Sequence, residues 1–205
     1  MSKNDNYCLS FTMGGLFHSE SIKILELFNI FHNWNEVSQR ALESNILQSR
    51  TVSTSKRALR EIIARLKTLT MDELDLLSNG SVHDQKYLLW LSTCRRYVFI
   101  HDFAVEVIRE RYLTLKHDLP NEEFDTFYNS KEQWYEELEK IAESTKSKLR
   151  NVLFKILREA EIIDANKLIL PAMLTNDLIG CIAKHNINDL LIFPISDIDL
   201  QKADR

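Results

Sequence analysis

Residues 83–116 read HDQKYLLWLSTCRRYVFIHDFAVEVIRERYLTLK, with apolar side chains recurring at helical spacing almost without interruption. The run is longer than a typical globular helix, so we predict a bend or break around residues 97–102. Only 4 glycines and 3 prolines occur among the 205 residues, whereas an all-β sandwich or barrel needs many more turn residues. The sequence therefore predicts a mainly α-helical protein, folded as a compact multi-helix bundle.

Capping signals outside this run mark where further helices begin. Asn33 and Thr70 each precede a helical pattern and have a glutamate three residues later, as in a capping box. Hydroxyl residues open two more helices, one over residues 53–69 and one over residues 145–162.

Two β-prone runs, residues 167–170 and 191–193, each precede a proline. We predict that they pair as one short β ribbon near the C-terminus. We also predict two helical subdomains, an N-terminal one over residues 1–117 and a C-terminal one over residues 118–205.

Bulk composition is that of a soluble globular chain, with 44% hydrophobic and 27% charged residues. The 26 basic and 30 acidic residues give a net charge of −4, so overall charge indicates neither nucleic-acid binding nor an acidic tail. Three widely spaced cysteines form no CxxC pair, which excludes a disulfide framework and a zinc ribbon and suits a reducing cytoplasm. No signal-peptide or membrane-span pattern is visible, so we expect a cytoplasmic protein with no membrane partner.

Sequence motifs of the common catalytic classes are absent. The 6 histidines show no HExxH spacing, and no GxGxxG, P-loop or GxSxG motif occurs. His101 and Asp102, with Glu106 on the next helical turn, form a pattern that could support acid–base or metal chemistry. Pairing of the two carboxylates with Arg109, Arg95 or Arg96, along or between helices, is the simpler interpretation. We therefore predict a non-enzymatic protein with no catalytic residues, no metal and no cofactor.

Charged residues are unevenly distributed along the chain. Residues 50–67 contain six basic side chains and one acid, and residues 144–158 contain five basic side chains and no acid. Residues 118–143, by contrast, contain nine acids and two lysines. Mixed signs are usual on a solvated surface, so the two basic segments are the informative part of the sequence.

The two basic segments share one internal pattern. Counting from Thr54 and from Thr145, a basic residue follows at the third position and apolar residues at the eighth, ninth and twelfth. A helix that enters the DNA major groove has basic and small polar residues near its N-terminus, where free N–H groups also favour a phosphate. The competing interpretation is a pair of amphipathic helices whose lysines and arginines are only solvated.

If both helices bind DNA as helix-turn-helix recognition helices do, their outer faces contain the candidate DNA contacts. The predicted contact residues are Ser53, Thr54, Lys56, Arg57, Arg60 and Lys67 in the first helix, and Thr145, Lys146, Lys148 and Arg150 in the second. Residues 157–163, followed by the β-prone run, also resemble a winged-helix recognition helix leading into its wing. The near-neutral overall charge predicts modest affinity that falls steeply with salt.

The only double glycine lies in the segment Ser10-Phe11-Thr12-x-Gly14-Gly15. One interpretation is a loop that cradles a phosphate or the backbone of a partner. We favour a tight turn that lets Phe11 and Leu16 dock on the core, with Ser19 capping the next helix, because the remaining residues of a phosphate-binding motif are missing.

Three blocks of sequence resemble one known family. They are YCLSFTMGGL (residues 7–16) followed by Glu20-Ser21; NILQSRT (residues 45–51) followed by Thr54, Arg57 and Arg65-Leu66; and LLWL, Arg96-Tyr97 and FAVEVIR within residues 88–109. Together these blocks, spread over most of residues 7–163, resemble the BrxA family, a small core component of the BREX (bacteriophage exclusion) phage-defence systems of bacteria.

This resemblance implies an almost wholly α-helical protein that binds double-stranded DNA and serves antiviral defence beside a DNA methyltransferase and other BREX proteins. It places helix-turn-helix-like elements on residues 50–69 and 144–163, the same segments as the two basic helices. We expect a monomer, with specific base recognition supplied by the methyltransferase.

A protein–protein adaptor is the alternative function. The acidic segment 118–143, which includes Trp134 and Tyr135, would dock a basic partner, and the basic helices would only keep the fold soluble. Binding of RNA by the same helices is a third interpretation, which would show as a preference for folded or single-stranded RNA.

Overall fold

Helices make up most of the chain that the computed structural model describes, namely residues 7–12, 14–196 and 200. The α-helices are, in chain order, α1 (His18–Phe31), α2 (Trp34–Glu43), α3 (Val52–Leu66), α4 (Met71–Asn79), α5 (Val82–Arg96), α6 (Val98–Phe103), α7 (Glu110–Leu113), α8 (Asn121–Glu132), α9 (Glu136–Glu139), α10 (Glu143–Glu159) and α11 (Asn176–Asn186). A π-helical segment over Ala104–Arg109 joins α6 to α7, and a 3₁₀ helix over Ile187–Ile192 follows α11. The predicted mainly α-helical class is confirmed.

The predicted break in the long central segment is also confirmed. Tyr97 separates α5 from α6 with an extended backbone (φ −126°, ψ 97°). This conformation coincides with a buried tyrosine ring whose hydroxyl donates to the Glu61 carboxylate at 2.7 Å. On the helix before the break, Trp90 is fully buried and its indole N–H donates to the Ile192 carbonyl at 3.2 Å. The central segment is therefore fixed at two points of the core.

Side-chain caps begin several helices at or near the predicted positions. Asn33 caps α2 by accepting two N–H groups of the first turn. Thr70 forms a full capping box with Glu73 at the start of α4. α3 is capped by Thr51, two residues before the predicted start at Ser53. The local hydrogen-bonding rules thus locate these helix ends to within two residues.

In the double-glycine segment, Met13 lies outside the described residues, Gly14 has a left-handed backbone (φ 77°) and the chain bends at Gly15. Phe11 and Leu16 are both buried, as expected for a turn that docks on the core. The expected cap at Ser19 is wrong, because α1 already begins at His18. The preceding Phe17 turns the backbone with a left-handed conformation (φ 59°) and no side-chain cap.

The predicted ribbon between residues 167–170 and 191–193 is wrong. Ile169 instead forms a single antiparallel bridge with Ile163, just after α10. The Asp164 carboxylate stabilises the intervening turn by accepting two later backbone N–H groups, each at 2.8 Å. Because this turn folds the chain back locally, the near partner replaces the distant one, and the later run completes the 3₁₀ helix.

One continuous cluster of buried side chains extends from the N-terminal segment to the residues after the 3₁₀ helix. Phe99 of α6 contributes to its aromatic part, with ring centroids 5.4 Å from Tyr7, 5.8 Å from Phe124 and 5.2 Å from Phe127. Residues from both predicted subdomains share this core. The division between residues 117 and 118 stays a prediction.

Candidate nucleic-acid interface

The first basic helix, α3, packs an apolar stripe into the core and presents its N-terminal end to solvent. Leu59, Ile62 and Leu66 are buried, as the periodicity predicts. The Thr51 hydroxyl accepts the Thr54 N–H at 3.2 Å and caps the first turn. The structure describes the whole of this turn, and none of its residues is acidic. The positive end of the helix dipole is therefore not offset by a local carboxylate.

The predicted contact residues of α3 all lie on its exposed outer face or at its C-terminal end. They are Ser53, Thr54, Lys56, Arg57, Arg60 and Lys67. Across residues 7–12, 14–196 and 200, none of the four cations in this set has an ion-pair partner. We call these four cations, Lys56, Arg57, Arg60 and Lys67, the α3 cations.

A groove of about 400 Å³ runs between α2 and α3. Lys56, Arg60 and Lys67 line its α3 side, and Trp34 and Asn35 lie on its α2 side. Three of the α3 cations therefore border one concave surface.

Arg65 differs from the other basic residues of α3 because it is buried, with 2% of its surface exposed. Its guanidinium pairs with Glu61 at 2.6 Å and donates to the Gly15 carbonyl at 2.8 Å. Tyr97 donates its hydroxyl to the same Glu61 carboxylate, and burial together with this carboxylate raises the pKa of Tyr97. Arg65 thus belongs to the interior.

The second basic helix, α10, has the predicted buried stripe but a different N-terminal end. Leu149, Leu153 and Ile156 are buried. The N-cap position is Ala142, which offers no side-chain hydrogen bond, and Glu143 lies in the first turn. The start of α10 is therefore uncapped and carries a negative charge where α3 has none.

Two of the predicted α10 contacts are bound to the neighbouring helix α8. Lys146 donates to the Asn129 side chain at 2.7 Å, and its Nζ atom lies 4.6 Å from the centre of the Tyr128 ring. Arg150 pairs with Asp125 at 2.5 Å. These cations, like Thr145, are half-buried, whereas Lys148 is exposed. The acidic segment thus packs beside α10 and neutralises part of its charge.

The exposed face of α10 is formed by a stripe that the predicted contact set captured only in part. The stripe consists of Lys148, Asn151, Lys155 and Arg158, spaced three, four and three residues apart. Lys155 lies 3.7 Å from the Glu159 carboxylate on the same helix. We call these four residues the α10 stripe. Helical spacing counted from Lys148 identifies Lys155 and Arg158, which the prediction left out.

The possible acid–base group on α6 is occupied by structural contacts. Asp102 accepts the Tyr7 hydroxyl at 2.6 Å, and Lys131 lies 3.7 Å from Asp102 and 2.6 Å from Glu106. Although burial acts against it, hydrogen bonds from His101 and Tyr7 keep the pKa of Asp102 below its ordinary value. These carboxylates form ion pairs between elements, as the simpler interpretation expects, but with Lys131, which the prediction did not name, while Arg95 pairs with Glu73 and Asp189.

The fold and the surface together define a helical protein with two basic helices that are exposed to different degrees. The sequence model of the BrxA family matches residues 5–186. The chain belongs to the BrxA family and is a component of a BREX phage-defence system. The resemblance seen in the sequence is confirmed.

Two relatives carry the same description, "BREX protein BrxA". The protein from Escherichia coli O9:H4 (strain HS) is 30% identical over 165 residues, covering 80% of this chain and 78% of the relative. The protein from Bacillus cereus (strain H3081.97) is 26% identical over 167 residues, covering 82% and 84%.

The fold itself is shared with a solved structure, described as the crystal structure of an uncharacterized protein from Magnetospirillum magneticum. The TM-score is 0.76 at 17% sequence identity, covering 93% of this chain and 98% of the other. Within the described residues, no helix is both long enough and apolar enough to cross a membrane.

Proposed function

We propose that this protein is the non-enzymatic, double-stranded DNA-binding component of its BREX system and acts beside a DNA methyltransferase. The observation that carries the proposal is the set of α3 cations, which project from one helix and have no acidic partner in the described chain. Free cations on a helix attract phosphate groups, whereas cations already paired with carboxylates do so weakly.

The arrangement of α2 and α3 supports a helix-turn-helix-like use of this surface. The two helices pack together and are joined by a connection of exposed and half-exposed residues. The N-terminal turn of α3, with Ser53 and Thr54 exposed, would meet the DNA first. Lys56, Arg57 and Arg60 would follow along the groove or its phosphate edges.

The surroundings of α10 support a second, winged-helix-like element. Besides the Ile163–Ile169 bridge, Leu168 bridges to Asp118, which precedes α8. Three short extended segments therefore lie beside one another next to α10, as in a small wing. Within this element Lys148 and Arg158 are the free contacts, since Lys146 and Arg150 are held by α8.

Affinity is expected to be modest and dominated by phosphate contacts. The net charge of −4 means that only local patches favour DNA. Sequence preference would come mainly from the methyltransferase, with this protein acting as a cytoplasmic monomer that adds non-specific affinity.

Fluorescence anisotropy with a labelled duplex of roughly 20 base pairs tests the proposal. The Arg57→Glu/Arg60→Glu variant should weaken binding about 100-fold or more at low salt, because it replaces two phosphate contacts by repulsion. The Lys140→Glu/Lys184→Glu variant makes the same change in net charge at two exposed lysines outside the basic helices and should bind nearly as wild type. Absence of wild-type binding at low salt contradicts the proposal, and preferential competition by RNA would move it to RNA.

A protein-docking role for the acidic segment is the second candidate, favoured by one exposed aromatic residue. Trp134 is 82% exposed, and Glu136, Glu139 and Glu143 beside it along the chain are exposed too. The Trp134→Ala/Glu136→Lys variant should lose binding to a basic BREX partner, measured by calorimetry with the purified methyltransferase, and keep its DNA affinity. Retained binding to the methyltransferase together with lost DNA affinity would remove this candidate.

A further inference from the structure

One peptide group of the double-glycine loop is hydrogen-bonded from both sides by the two basic helices. The carbonyl of Gly15 accepts a hydrogen bond from Arg65 of α3 at 2.8 Å. The N–H of Leu16, which belongs to the same peptide unit, donates to the Glu159 carboxylate of α10 at 2.6 Å. A bond to a charged partner on each side makes both interactions stronger than bonds between neutral groups.

The close approach of Glu159 accounts for the glycine at position 15. A Cβ atom on Gly15 would lie 2.2 Å from the nearer Glu159 oxygen, so any larger residue would displace the carboxylate. On the other side, Arg65 is held by Glu61 and stacks 5.6 Å from the Phe17 ring. The loop is therefore contacted by a buried, ion-paired arginine from α3 and by a partly exposed glutamate from α10.

We propose that the Gly15–Leu16 peptide, in addition to the shared core, sets the position of α3 relative to α10 and thereby the arrangement in which their exposed cations meet DNA. Arg65 and Glu159 are the positioning residues of this surface, and neither contacts DNA itself. This inference has two parts. The functional half, the effect on DNA affinity, rests on the proposed DNA binding. The mechanical half, the relative position of the two helices, rests on the hydrogen bonds alone.

The position of Glu159 at the C-terminal end of α10 gives this proposal a distinctive consequence. Its carboxylate also lies 3.7 Å from Lys155 of the α10 stripe. Simple electrostatics therefore predicts that any neutral residue at position 159 strengthens DNA binding by the same amount. The bridging role predicts a difference between glutamine, whose carbonyl oxygen can still accept the Leu16 N–H, and alanine, which cannot.

The mechanical half is tested without DNA. Spin labels are attached at Ser53→Cys and Asn151→Cys in a background lacking Cys8 and Cys181. Pulsed electron paramagnetic resonance then measures the distance between the two helices. Glu159→Ala and Gly15→Ala should broaden this distance distribution, and Glu159→Ala should speed exchange of the Leu16 amide about tenfold or more. Glu159→Gln should leave both close to wild type. Unchanged distances and exchange in the two alanine variants would overturn the proposal, whatever the protein binds.

The functional half is tested by anisotropy with the same duplex. Glu159→Gln should bind as tightly as wild type or up to about threefold more tightly, and Glu159→Ala about three- to tenfold more weakly. Equal affinities of the two variants, when Glu159→Ala changes the helix distance and Glu159→Gln does not, would overturn the role in DNA binding. Wild type that fails to bind DNA would remove the proposed function but leave the distance result to decide the bridging role.

Discussion

The two basic helices, α3 and α10, have the same internal pattern and different surroundings. Each buries an apolar stripe at the same spacing from a threonine in its first turn. The α3 cations face solvent without acidic partners in the described chain, whereas Arg150 of α10 pairs with Asp125 and Lys146 binds Asn129. The sequence of a helix thus decides which face is buried, and its neighbours decide which of its charges remain free.

The N-terminal ends of the two helices repeat this contrast. Thr51 caps α3 with a side-chain hydrogen bond, while Ala142 occupies the same position of α10 and cannot. Val52 begins α3, and Glu143 begins α10. An incoming phosphate would meet a positive helix end at α3 and a carboxylate at α10.

After the charge reversal on α3, the largest expected effect concerns the exposed stripe of α10. The Lys148→Glu/Arg158→Glu variant should lower DNA affinity about tenfold or more, because it reverses the two free charges of that helix. Anisotropy beside the Lys140→Glu/Lys184→Glu control measures this effect at equal net charge. An unchanged affinity would mean that α10 does not touch the DNA and that α3 acts alone.

A second effect concerns the unequal caps. Thr51→Ala should lower the free energy of unfolding by about 1 kcal/mol, and Ala142→Ser should raise it by up to about 1 kcal/mol. Urea denaturation measures both, with the exposed Ser144→Ala as a control expected to stay within about 0.5 kcal/mol. If Ala142→Ser does not raise the free energy of unfolding, the N–H groups at the start of α10 have another partner.

A third effect concerns the charge of α8 beside α10. Asp125→Asn releases Arg150 from its ion pair and should raise DNA affinity about two- to fivefold while lowering stability by about 1 kcal/mol or less. Glu26→Gln on the exposed face of α1 removes one acid elsewhere and serves as the matched control. Equal gains from both variants would indicate a general charge effect.

The smallest expected effect concerns the contribution of Glu161, which lies just after α10, to stability at low pH. The Lys86 hydrogen bond, followed by that of His83, keeps the pKa of Glu161 below its ordinary value of 4.5 despite partial burial. These contacts therefore contribute stability fully above pH 4.5 and lose it as the pH falls through the lowered pKa. Unfolding measured against pH should show a shallower acid loss in Glu161→Gln, and an identical pH profile would contradict this contribution.

Local rules predicted the helices well because they depend on neighbouring residues. The break at Tyr97, the caps at Asn33 and Thr70 and the buried stripe of α3 all follow from periodicity and hydrogen-bonding side chains. The ribbon was wrong because the Asp164 turn offers a nearer partner, which composition does not reveal.

The candidate site was predictable only where no neighbour intervenes. The outer face of α3 follows from helical geometry, and all its predicted residues are exposed. On α10, Lys146 and Arg150 have the right residue type, but contacts with Asn129 and Asp125 across the packing interface occupy them. The bridging peptide was hidden for the same reason, since Arg65 and Glu159 meet at the loop only after the chain has folded.

The dependence of DNA affinity on salt distinguishes free from neutralised cations in one experiment. Log affinity falls against log salt with a slope of about 0.9 for each phosphate contact. Unequal exposure predicts that Arg57→Ala/Arg60→Ala reduces this slope by about 2 and that Lys146→Ala/Arg150→Ala reduces it by less than about 1. Equal reductions by the two variants, or wild-type binding that does not depend on salt, would contradict the assignment of α3 as the principal DNA-binding helix.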